Sequence, residues 1–165
     1  MDNKFIRYSR LPTEQINKRT RNLDRLPLRR VLEKLNHEDS LVPKAVKKAI
    51  PQIEKAARAV SREYLAGNRI FFMGAGTSGR LGVLEAAELS PTYGVNSRTF
   101  TALMAGGNAA VFRSKEGAED IFSNGRREIS KLARKGDVVI GIAASGITPY
   151  VRGGLAAGKN KGALT

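Results

Sequence analysis

The chain has 165 residues, enough for one domain with a core of its own, and its 41% apolar and 27% charged content is ordinary for a globular protein. With no cysteine, disulfides and thiolate metal sites are excluded, and a lone histidine, His37, argues against a histidine-built metal site. The net charge of +14 can attract anionic partners, but the basic residues are scattered, only 6% of residues are aromatic and there is no Trp, so a stacking platform for nucleic acid is poorly supplied. The charge reads as a solvated basic surface rather than a nucleic-acid interface.

No apolar run approaches the roughly 18–20 residues of a membrane span, so no membrane partner is expected. The first residues, with Asp2, Lys4, Arg7 and Arg10, lack the apolar centre of a signal peptide, which predicts a cytoplasmic protein. Residues 1–22 read as a polar, basic, extended arm. Leu28, Val31, Leu32 and Leu35 then recur at helical spacing, and Pro27 suits a first turn, predicting a short amphipathic helix from Pro27 to Leu35 with His37 at its end. Asp39 and Ser40 are candidate caps for a second pattern, Pro43 to Leu65, in which Pro51 predicts a kink or two abutting helices. Gly67 is a candidate C-cap. The expected division is an arm with a short helix, 1–42, and an α/β domain, 43–165.

From there the pattern alternates. Strands are predicted at 69–73, 98–103 and 138–143, and helices at 79–89, 119–134 and from Pro149 to Ala157. Such alternation implies a parallel sheet wound by crossover helices, with ligands bound outside the carboxyl ends of the strands. Gly162-Ala163-Leu164-Thr165 looks like the start of another strand, so the chain reads as the front part of a longer fold with an incomplete sheet.

Two strand-to-helix turns carry the chemistry. Ile70-Phe71-Phe72-Met73 empties into Gly74-Ala75-Gly76-Thr77-Ser78-Gly79, and Val138 to Ala143 runs into Ala144-Ser145-Gly146-Ile147-Thr148-Pro149. Backbone N–H groups and small hydroxyls aimed beside a helix N-terminus stabilise a phosphate. Gly74-x-Gly76-x-x-Gly79 also fits a dinucleotide fingerprint, but Arg98 to Ala105 holds no acid for the ribose, and no Gly-Lys-Ser/Thr makes a P-loop. Glycines serving only a tight turn remain an alternative at the first site. Two acidic groups stand out: Glu85 with Glu88, and Glu116 with Glu119 and Asp120. Paired carboxylates can divide acid and base roles. Glu119 and Asp120 can equally favour the start of the 119–134 helix, worth about 0.3–1 kcal/mol each.

Taken in order, Thr13-Glu14-Gln15, Leu23-Asp24, Glu38-Asp39, Gly74-Ala75-Gly76-Thr77-Ser78-Gly79-Arg80-Leu81-Gly82, Glu85-Ala86-Ala87-Glu88, Pro91-Thr92-Tyr93-Gly94, Ala105-Gly106-Gly107, Glu116-Gly117-Ala118-Glu119-Asp120 and Gly141-Ile142-Ala143-Ala144-Ser145-Gly146 resemble the N-acetylmuramic acid 6-phosphate etherases of the sugar isomerase (SIS) superfamily, relatives of the glucokinase regulatory protein. The resemblance runs from about Thr13 to Thr165. It implies an α/β fold, an SIS-type doubly wound parallel sheet, here incomplete, with an N-terminal helical arm.

The resemblance also implies an activity: cleavage of the D-lactyl ether of N-acetylmuramate 6-phosphate to N-acetylglucosamine 6-phosphate and D-lactate, in cell-wall recycling, without metal or organic cofactor. Glu88 matches the family's acid at the departing ether, and Glu119 its base at C2. Gly76, Thr77, Ser78, Gly79, Ser145, Gly146 and Thr148 match the sugar-phosphate grip. Ile147 stands where the family commonly has Arg, for which Arg80 or Arg152 is a candidate substitute. A non-catalytic sugar-phosphate-binding module is the alternative. Because Glu88 lies some 12–15 Å along a helix from the first turn, a site shared in a homodimer is expected.

Overall fold

The computed structural model describes Ser9 and residues 11–165 of the chain. The opening of the expected arm, residues 1–8 and 10, lies outside the described residues. The chain divides into two compact units between Arg58 and Ala59.

The first unit holds three single 3-10 turns, Pro12–Glu14, Lys18–Thr20 and Leu23–Arg25, and most of a long helix, α1 (Leu28–Leu65). The arm is therefore coiled into short turns rather than extended. It is pinned to α1 by polar contacts: the Arg19 guanidinium meets Glu38 through Nε (2.6 Å) and Nη2 (2.7 Å), and Asn17 Nδ2 donates to Glu38 Oε2 (2.7 Å). These two donors hold the Glu38 carboxyl down at about 2. Lys34 Nζ adds a bond to the Arg19 carbonyl.

Sequence spacing predicted two helices here, and the structure has one. Pro43 and Pro51 both sit inside α1, and His37, Asp39 and Ser40 are mid-helix rather than terminal. Each proline removes one N–H from the ladder. The carbonyls thereby freed, on Asp39 and Lys47, belong to exposed residues that water can reach. Ser40 donates to the His37 carbonyl instead of capping a new start. Gly67, with φ of +79°, closes the helix as expected.

The second unit is the sheet. β1 (Ile70–Gly74) lies between β2 (Phe100–Met104) and β3 (Val138–Ile142), all parallel. Such strands are covered on both faces, which is why their sequences are near-continuous apolar runs. Alternation sends Phe72 to one face and Phe71 and Met73 to the other. On the Phe72 face packs α2 (Gly76–Tyr93), where a Cβ on Gly82 would stand 3.0 Å from that of Phe72. Phe100 stacks beside it, against Tyr64 and Phe72. On the opposite face α4 (Phe122–Leu132) and α5 (Pro149–Asn160) close a core of Phe71, Met73, Ile129, Val139, Tyr150 and Val151. Between β2 and α4 lies a one-turn helix, α3 (Ala109–Phe112), which the sequence pattern did not signal. Leu164 pairs in parallel with Val138 on the free edge of β3.

Helices α4 and α5 touch backbone to backbone. A Cβ on Gly125 would lie 2.0 Å from the Tyr150 carbonyl oxygen, and one on Gly153 would lie 2.1 Å from that of Phe122. Tyr150, fully buried, donates its hydroxyl to Glu128 on α4 (2.5 Å). Burial first, then the Glu128 carboxylate, pushes the Tyr150 phenol far up, keeping it a donor.

Candidate sugar-phosphate site

The strand order places β2 and β3 on opposite sides of β1, so the chain reverses direction across the sheet at β1. Ligands of open α/β sheets bind in the crevice at such a switch point, outside the carboxyl ends of the strands. Gly74 pairs with Ile142 and with Met104, so all three strands end at one level. The two hydroxyl-rich turns are therefore neighbours at the β1–β3 crevice.

The first turn owes its shape to two glycines in close approach. A Cβ on Gly74 would stand 2.7 Å from the Gly79 nitrogen, and one on Gly79 would stand 2.8 Å from the Gly74 oxygen. Neither position accepts a side chain without moving backbone. Gly76 has φ of +55° and Ala75, the N-cap of α2, makes no side-chain cap. The leading N–H groups of α2 thus face the turn with no side chain to accept from them, the condition for anion binding at a helix start. Thr77 is exposed and Ser78 half-buried at this mouth.

The second turn repeats the device with different means. Gly146, with φ of +70°, reverses the chain, and the Ser145 hydroxyl accepts from the Ile147 N–H (3.3 Å), which leaves its proton free to donate. Thr148 is the N-cap of α5 but its side chain caps nothing. Pro149 occupies the first helical position, where a missing N–H is harmless.

A third loop joins them. The Ala105 N–H bonds to the Gly74 carbonyl (3.0 Å), tying the end of β2 to the end of β1, and Gly106 and Gly107 turn the chain with φ of +88° and +77°. Arg80, on α2, donates to the carbonyls of Val111 (2.8 Å) and Ala110 (2.9 Å) at the end of α3. This guanidinium is spent on holding the loop, so the structure does not offer Arg80 in place of the arginine missing at Ile147. Arg152 is exposed on α5.

The carboxylates are placed unequally. Glu119 is half-buried in its own 3-10 turn, Ala118–Asp120, which packs against α5. Gly117 (φ +76°) opens that turn and Ile121 breaks it from α4, whose first turn holds no acid. Glu119 and Asp120 are therefore not the N-terminal acids of a 119–134 helix. Glu88 is exposed, ten residues beyond Ser78 on α2, about 15 Å along the axis. The structure brings the two turns and the Gly106–Gly107 loop together, and leaves Glu88 away from its own first turn. Among the described residues, no group of three or more His, Cys, Asp or Glu is placed to hold a metal ion, and no helix is long and apolar enough to cross a membrane.

Residues 50–159 match the family described as the glucokinase regulatory protein N-terminal SIS domain. Over 161 residues the chain is 45% identical to N-acetylmuramic acid 6-phosphate etherase 2 of Vibrio parahaemolyticus serotype O3:K6, covering 97% of this chain and 54% of that protein. It is 43% identical to the N-acetylmuramic acid 6-phosphate etherase of Clostridium botulinum, covering 97% and 53%, and 47% identical to that of Lactococcus lactis subsp. lactis, covering 98% and 54%. The chain spans about half the length of the curated relatives it matches.

Proposed function

The chain belongs to the family of the glucokinase regulatory protein N-terminal SIS domain, and from that membership we propose that it supplies the sugar-phosphate grip and the two carboxylates of an N-acetylmuramic acid 6-phosphate etherase. The observation that carries the proposal is the adjacency of the two uncapped, hydroxyl-bearing helix starts at the β1–β3 crevice. Phosphate sits between them, held by N–H groups of α2 and by Thr77, Ser78, Ser145 and Thr148.

Ring opening exposes an aldehyde that acidifies the C2 proton. Glu119, half-buried beside α5, removes that proton; the C3–O bond to lactate breaks, and an acid delivers a proton to the departing oxygen. Water then adds across the resulting double bond. We assign the acid to Glu88, reached from a second copy of the chain in a two-fold pair, because 15 Å of helix separates it from its own phosphate turn. Such chemistry belongs in the cytoplasm, where sugar phosphates are retained.

A coupled D-lactate assay on the purified chain tests this. Lactate release that disappears with Glu88→Gln supports it, and partial recovery on mixing Glu88→Gln chains with Ser78→Ala chains supports the shared site. Tight binding of the sugar phosphate with no lactate released favours a non-catalytic binding module instead. That second reading draws on the matched domain, which is a regulatory protein's.

A further inference from the structure

With Arg80 held by the Ala110 and Val111 carbonyls, the cation nearest the first turn is spent. Another reaches the same rim. A Cβ on Gly106 would stand 3.0 Å from Lys115 Cδ and 3.2 Å from Lys115 Cβ, so the lysine stem lies along the loop that follows β2. The Ala110 Cβ stands 3.1 Å from the same point, and the glycine leaves the room that the stem occupies. The ammonium sits two bonds beyond Cδ. Lys115 is exposed, and among the described residues no carboxylate, carbonyl or hydroxyl takes its ammonium. Glu116, its exposed neighbour in sequence, makes no ion pair with it.

The segment that carries this lysine also carries Glu119. The Ala118 N–H bonds back to the Lys115 carbonyl (3.4 Å), and Gly117, with φ of +76°, turns the chain between them. Ala118 is buried in the same core as Ala105 and Met73, near the carboxyl ends of β2 and β1. Glu119 follows on the turn that packs against α5. Lys115 therefore stands on the β2 side of the sheet and Glu119 on the side of α5, four residues apart on one short span. A sugar whose phosphate lies at the two turns would present its ring to this span.

We propose that Lys115 holds a carboxylate of the sugar ligand, the D-lactyl acid carried on C3, one ring atom from the C2 position assigned to Glu119. This rests on the sugar-phosphate reading and adds to it a group that selects among sugar phosphates. An ammonium on a stem already laid against the loop gives a carboxylate a charge-assisted hydrogen bond at little ordering cost. The lactyl carboxylate is what N-acetylmuramate 6-phosphate has and N-acetylglucosamine 6-phosphate lacks. Lys115 thus favours the lactyl-bearing sugar without touching the phosphate grip. It is a binding residue, outside the proton transfers assigned to Glu119 and Glu88.

Calorimetry on the whole chain, in a Glu119→Gln background that stops turnover, tests this with both sugar phosphates. Lys115→Met keeps an unbranched stem against Gly106 and removes the charge. It is expected to weaken binding of N-acetylmuramate 6-phosphate about tenfold and of N-acetylglucosamine 6-phosphate by less than about twofold. Lys115→Arg, which keeps the charge, is expected to keep the preference. Equal effects of Lys115→Met on the two ligands, or none on either, overturn the assignment of Lys115 and leave the phosphate grip standing. If the chain with Lys115 intact binds neither sugar phosphate, the sugar-phosphate reading itself falls and this assignment falls with it.

Discussion

At the amino ends of β1 and β3, Asp137 is 3% exposed and both its oxygens are occupied, whereas at the carboxyl ends of the same strands two helices start without a side-chain cap. Asp137 accepts from the backbone N–H of Arg69 (3.0 Å) and of Arg134 (2.8 Å), and the Arg69 guanidinium closes on it at 2.6 Å. Arg69 also donates to the Leu132 carbonyl and lies over the Phe71 ring. One end of the sheet spends its polar groups internally and ties β1, β3 and the end of α4 together. The other end leaves two helix starts without a side-chain cap, and that is where the proposed ligand would gain by binding. On the proposed reading, stability and recognition are separated along the strand axis.

Substitutions at the two ends should therefore move different observables. The largest effect is expected from Asp137→Ala, which leaves the partly open Arg69 charge and two backbone donors unmatched. It should cost about 3 kcal/mol in urea unfolding while leaving affinity for the sugar phosphate intact in the folded fraction. An affinity loss matching the stability loss would erase the distinction. Gly79→Ala is next: its Cβ needs space held by the Gly74 carbonyl, so about 1–3 kcal/mol of strain should appear together with weaker phosphate binding. Ser145→Ala removes the acceptor of the Ile147 N–H at a half-buried site that water can reach. It should lower sugar-phosphate affinity about tenfold, measured by calorimetry, with stability within about 1 kcal/mol of the parent.

These residues differ in how far the sequence disclosed them. The turns were legible because strand, glycine and hydroxyl follow one another locally, and each link has its own chemistry. Expected strands at 69–73, 98–103 and 138–143 coincide with β1, β2 and β3 within two residues for the same reason. Asp137 was not legible: in Lys135-Gly136-Asp137 it looks like an exposed turn acid, and only Arg69, 68 residues away in sequence, makes it structural. Arg80 is similar, a candidate substrate group by position that the end of α3 consumes. The continuity of α1 was hidden by Pro43 and Pro51, whose local penalty suggested breaks that the solvated helix absorbs. Ile121 did the reverse, interrupting what spacing offered as one helix and setting Glu119 on a turn of its own.

pH gives the smallest but sharpest division between the ends. Burial works against ionising Asp137, yet the Arg69 guanidinium and the two backbone N–H groups outweigh it and hold the carboxyl below its usual value. A carboxyl depressed in the folded state contributes stability that is fully present above its unfolded value of about 3.9 and is lost as pH falls through the lower folded value. The amino end should therefore weaken only below about pH 4. On the proposed reading, the titrating group at the carboxyl end is the phosphate of the ligand, which takes its second proton near pH 6. Affinity should thus fall between about pH 7 and 5 while unfolding free energy holds level, and Asp137→Asn should flatten the acid limb of stability without touching the affinity curve. Measuring both from pH 3 to 8 checks the separation: if the two curves fall together, the two ends of the sheet are not independent.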